Sequence, residues 1–156
     1  MSLLTHPASI VWLSQTSLAH SFNAADPWTF ATVMTIHLLG LALAFGTSLI
    51  LNLRLLGWGL RASSPAQIAG TLRPYLLAGL SIALLSGLWL FIADVLKFWA
   101  NPVFRTKLAL LLLLSVIQVW LLFKVKAGAI PARSIAALTL VIWLATIISG
   151  RLIGLI

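Results

Sequence analysis

A chain of 156 residues that is 62% apolar and 8% charged has room for one small domain, and too few polar side chains to cover that domain in water. Ten Lys and Arg against two acidic residues give a net charge of +8, and the lack of cysteine excludes disulfides, thiolate metal sites, iron–sulfur clusters and covalently attached haem. The bases cluster at the ends of apolar stretches, so anionic lipid and membrane orientation account for them, and no nucleic-acid partner is expected.

Residues 7–22 mix Ile10, Leu13, Leu18 and Phe22 with polar positions, too short and too polar to cross a bilayer. They predict a short helix lying in the membrane interface, with Trp12 at headgroup level. The N-terminus has no basic segment before its apolar residues and does not read as a cleaved signal peptide; the first span is expected to serve as the insertion signal.

Four apolar stretches follow, at about 28–56, 74–96, 102–125 and 132–155. Each meets the roughly 20 residues that carry a helix across a hydrocarbon core of about 30 Å. Asp26-Pro27 opens the first with a capping side chain and a proline suited to the first helical position. Gly57-Trp58-Gly59 closes it, which puts Asn52 and Arg54 at the far headgroup boundary. Ser64-Pro65 predicts a short surface helix before Pro74 opens the second span. Phe98 and Trp99 are expected to anchor a tight connection in which Asn101 caps the third span. Lys124, Lys126, Gly128 and Pro131 turn the chain into the fourth. The expected fold is all-α: a single domain over 1–156, a four-helix transmembrane bundle with a short N-terminal interfacial helix.

The two ends of this bundle differ in charge. Arg54, Arg61, Arg73, Lys124, Lys126 and Arg133 lie at one end with no acid, whereas both acids lie at the other. The positive-inside rule then places both termini on the periplasmic side of a bacterial inner membrane.

Function is sought where polarity interrupts the spans. At 1.5 Å per residue, His37 lies about 15 Å along the first span and Lys107 about 7 Å into the third. Asp94 ends the second, and Arg151 falls in the last turns of the fourth. An isolated charge at such depth costs a few kcal/mol, so these groups are expected to face inward and answer one another. The helix faces agree: Val33, His37, Gly40, Ala44 and Ser48 form one small or polar stripe, Gly79, Ala83, Gly87, Leu90 and Asp94 a second, and Lys107, Leu111, Ser115 and Gln118 a third.

Two accounts fit this constellation. In the first it is structural: Asp94 pairs with Lys107 or Arg151, His37 hydrogen-bonds across the bundle, and the protein is a non-catalytic membrane subunit whose partner is another membrane protein or a second copy. In the second the protein is a redox module binding haem b. His37 is then the metal ligand, Lys107 and Arg151 neutralise the propionates, and Asp94 completes the polar surroundings. No other span contains a histidine, and Met34 stands on the same helix as His37, so the iron would be five-coordinate or take a ligand from another subunit. His6 and His20 read as solvated interfacial residues, and a zinc or copper site through His37, His20 and Asp94 would span too much depth. A Ser–His–acid hydrolase lacks its motif context.

Met34–Gly40, Phe45-Gly46, Asn52–Gly57, Asn101–Lys107 and Ser149–Arg151 together resemble an uncharacterised bacterial family of small four-helix membrane proteins. The resemblance covers nearly the whole chain and implies a fold but no activity. Members usually carry an acid where Asn52 stands, so the pairing of that acid with Arg54 or Arg61 does not carry over. More loosely, the chain is similar to copper-resistance D-type membrane proteins and to the haem-containing protoporphyrinogen oxidase, in a histidine on an early helix followed by glycine and a lysine early in a later helix. That similarity implies His37 as an axial ligand and Lys107 as a polar partner. The basic and Asn-Glu motif that the oxidase carries before its last helix is missing, and its reaction is not implied.

Overall fold

The computed structural model describes residues 7–59, 62–129 and 133–152, of which Arg151 and Leu152 as helical backbone only. Among these residues the chain forms seven helices and no strand: α1 (Ala8–Ser14), α2 (Ser17–Asn23), α3 (Pro27–Leu55), α4 (Pro65–Ala93), α5 (Val95–Ala100), α6 (Pro102–Lys126) and α7 (Arg133–Leu152). Helices α3, α4, α6 and α7 are each long and apolar enough to cross a membrane. This is the four-helix architecture expected, and the protein is a multi-pass membrane protein.

Local chemistry sets most helix starts. Asp26 caps α3 through Thr29 N at 2.8 Å, with Pro27 at its first turn. Asn101 Oδ1 accepts from Val103 N at 2.9 Å and starts α6 in the same way. After α3, Gly57 takes a φ of 91°, a left-handed conformation that lets the chain turn away.

Three boundaries differ from expectation. The interfacial segment is two helices, because Thr16 accepts from Ala19 N at 3.2 Å and starts a second helix within it. Ser64-Pro65 starts α4 itself, with a reciprocal Ser64–Gln67 capping box, and Pro74 lies inside that helix. In hydrocarbon, losing the one backbone bond that proline cannot make costs less than breaking the helix and exposing several polar groups. At its other end α4 stops at Ala93, where Asp94 adopts φ −146° and ψ 61°, and 95–100 forms a separate helical turn rather than extending the span to 96. The last residues of the expected fourth span, 153–155, lie outside the described residues, as do 60–61 and 130–132.

The spans form a ring in which α3 neighbours α4, α4 neighbours α6, α6 neighbours α7, and α7 returns to α3. The α3–α4 seam is the most intimate. A Cβ on Gly79 would stand 2.6 Å from Ala44 N, and one on Gly40 would stand 2.8 Å from Ala83 N, so the two backbones touch with nothing between them. This is the close approach that small residues permit in lipid. The apolar core, built around Leu51, Leu76, Leu114, Leu121, Leu122 and Trp143, fills the half nearer the α3–α4 and α6–α7 loops. Leu38, Leu85, Val116, Val141 and Leu144 point outward, as lipid contact requires.

The other end is closed by α1, α2 and α5. Helix α1 packs on α5 and α2 on α4, and Asn23 Nδ2 donates to the end carbonyl of α4, Ala93 O, at 2.8 Å. Trp12, Trp28 and Trp58 are largely exposed at helix ends, the positions of an interfacial aromatic belt.

Candidate functional site

The inward stripes meet as their spacing implies. His37, Gly40, Ala44 and Ser48 are buried on α3, and the first three meet Gly79 and Ala83 of α4. His37 keeps only 7% of its surface. Its Nδ1 lies 2.9 Å from Ala83 O and 3.1 Å from Ser86 Oγ. A carbonyl oxygen offers only lone pairs, so Nδ1 must carry the proton and donate. In the neutral ring Nε2 is then the unprotonated nitrogen, and it has no hydrogen-bond partner among the described residues. The Cε1 side of the ring packs on Gly87, where a Cβ would come within 2.9 Å of Cε1.

Lys107 of α6 is half-buried and lies along Gly150 of α7, with Cε and Nζ both 3.4 Å from the place a Cβ would take. Its ammonium is within electrostatic range of the His37 ring. So α3, α4, α6 and α7 each contribute to one polar locality, in the half of the bundle nearer α5.

Among the described residues Asp94 makes no ion pair with Lys107. Seven residues beyond Gly87, just past the end of α4, it sits about 10 Å nearer the bundle end. There it lines a crevice of about 210 Å³ with His20 and Asn23, and a second of about 290 Å³ with Lys97, Phe22, Phe30 and Phe98. Arg151 follows Gly150 on α7, so its backbone adjoins the Lys107 contact; its side chain lies outside the described residues. His6 also lies outside them, and no group of three His, Cys, Asp or Glu is gathered among the described residues.

A second polar cluster, in the opposite half, departs from the expected layout. Asn52 is completely buried within the bundle rather than facing headgroups. Its Nδ2 donates to Ser48 O at 2.8 Å and reaches Gln118 Oε1 on the diagonally opposite α6 at 3.3 Å. Trp143 of α7 donates from Nε1 to Ser48 Oγ at 2.7 Å. The signal for this layer was the four-residue spacing of Ser48 and Asn52 together with a tryptophan in mid-span.

No family model, curated protein or solved structure matches this chain in comparison.

Proposed function

We propose that the protein is a membrane-embedded redox module that holds a b-type haem, with His37 as its axial donor. The supporting observation is the anchoring of Nδ1 by Ala83 O at 2.9 Å. Metal-ligating histidines characteristically donate their other ring N–H to a carbonyl or carboxylate, which fixes the tautomer and leaves a lone pair for the metal.

The donor set fits the group. Nε2 supplies the nitrogen, Gly87 packs against the ring and holds it in place, and Lys107, with Arg151 next to the glycine it touches, supplies positive charge for two propionates. Bound there, a haem would supply one-electron chemistry within the bilayer. The chain's own residues hold the imidazole upright between α3 and α4, keep water from it with apolar helix faces, and provide counter-charge. No other span contains a histidine, so any further protein donor to the group would come from a partner subunit. The excess of bases at the two-loop end supports placement in a bacterial inner membrane with the termini outside the cytoplasm.

One observation favours a second reading, a non-catalytic membrane subunit that works through another membrane protein or a second copy. Ser48, Asn52, Gln118 and Trp143 already tie three spans together without any ligand. Absorption spectroscopy separates the two. Protein purified from haem-replete cells should show a Soret band that His37→Ala abolishes and Asn52→Leu leaves in place. A wild-type sample without the band overturns the haem assignment.

A further inference from the structure

Ser48, Asn52 and Gln118 are fully buried, yet their hydrogen bonding does not close. Asn52 Nδ2 faces Ser48 O at 2.8 Å. A carbonyl there accepts only from an N–H, so the orientation of this amide is fixed and its Oδ1 turns to the other side. The same logic assigns the second amide: Gln118 presents Oε1 to Asn52 Nδ2 at 3.3 Å, and its Nε2 turns away. Ser48 Oγ accepts from Trp143 Nε1 at 2.7 Å and stands 3.1 Å from Asn52 Nδ2, leaving its own proton to donate. An acceptor, Asn52 Oδ1, and a donor, Gln118 Nε2, are left buried without partners.

The chemistry of these two atoms selects what can answer them. A cation would satisfy Oδ1 and be repelled by the Nε2 protons; an anion would do the reverse. Only a neutral group with both a donor and an acceptor answers both. Leu51 beside Asn52, and Leu114 and Leu121 a turn to either side of Gln118, belong to the buried apolar core, so a small occupant is favoured over a large one. Water has the right size and valence, and buried water characteristically makes two to four bonds to polar groups left over in this way.

We propose that the Asn52–Gln118 amide pair binds buried water at both of its unanswered atoms, water donating to Asn52 Oδ1 and water accepting from Gln118 Nε2. The bundle interior thus carries a hydrated site between α3 and α6, next to the Trp143 contact of α7. It is separated from the His37 locality by the dry contact of Gly40, Ala44, Gly79 and Ala83. The site is independent of whether His37 binds a metal.

Radiolytic hydroxyl labelling in nanodiscs tests this directly, because bound water converts to radical in place and marks its neighbours. Trp143 retains only 1% exposure and bonds to Ser48, so its indole is the reporter. The wild type should be oxidised at Trp143, with ¹⁸O incorporated from labelled water, and the double variant Asn52→Leu/Gln118→Met should lose that labelling. An unlabelled Trp143 in the wild type overturns the proposal, as does equal labelling in a folded double variant. Should the double variant fail to fold, the wild-type ¹⁸O result alone decides.

Discussion

Gly87 packs against the imidazole of His37, so close that a Cβ at position 87 would stand 2.9 Å from Cε1 and 3.3 Å from Nδ1. The ring is pinned at Nδ1 by Ala83 O and Ser86 Oγ on the same helix as Gly87. It can yield only by giving up those bonds. Gly87→Ala is therefore expected to destabilise the bundle by about 1–3 kcal/mol, the usual cost of overpacking. Thermal melts in detergent measure the loss, and any Soret band of the wild type should shift or weaken in the variant. An unchanged melt would show that the ring moves aside freely.

The α3–α4 seam makes a contrast between two glycines. At Gly79 an added Cβ meets backbone, 2.6 Å from Ala44 N, whereas at Gly46 nothing lies within 4 Å. A backbone cannot rotate away as a side chain can. Gly79→Ala should cost as much as Gly87→Ala or more, while Gly46→Ala should be neutral or stabilise by up to about 1 kcal/mol through helix propensity. Equal melting temperatures for the two variants would mean the seam has slack that the contact distances deny.

Trp143→Phe tests the tie between α7 and α3. The change keeps most of the ring's bulk but removes the N–H that Ser48 Oγ accepts at 2.7 Å. A loss of about 1–2 kcal/mol is expected, more than the bond alone contributes, because a buried acceptor is left short of one donor. In Ser48→Ala/Trp143→Phe the loss should be less than the sum of the single effects, since the two groups share one bond. Strict additivity would sink the coupling.

Asp26 makes the start of α3 sensitive to acid. Hydrogen bonds from Thr29, chiefly its backbone N–H, hold the Asp26 carboxyl below its ordinary value. A carboxylate with a lowered folded pKa stabilises fully above its unfolded value of about 3.9, and that contribution is lost as pH falls through the folded value. Amide exchange at Thr29, corrected for intrinsic rate, should be constant from neutral pH to about pH 4 and rise below it. Asp26→Asn should flatten the profile, since asparagine caps without titrating. A rise that persists in Asp26→Asn would place the acid-labile group elsewhere.

How far the sequence could be read depended on which physical signal each residue carries. The spans were legible because lipid demands long apolar helices, and Asp26-Pro27 and Asn101-Pro102 because cap and proline chemistry is local. The stripe from His37 to Ser48 was legible because small residues at helical spacing mark a close approach. Pro74 misled because proline breaks helices in water, whereas in lipid the alternative to continuing is worse. Asn52 misled for a different reason. Counting residues from Pro27 gives its depth along the membrane normal, but burial depends on the angle at which α3 faces α6, and that angle is set by packing. The Trp143–Ser48 bond joins residues 95 positions apart, and no local pattern encodes such a pairing.

The seam between Gly40, Ala44, Gly79 and Ala83 draws nothing from the second half of the chain. A hairpin of the first two spans can therefore zip shut as soon as both have left the translocon, while the ribosome is still making the rest. The later pair would then dock on a finished template, with the tryptophan and glutamine contacts acting as latches rather than as the first points of assembly.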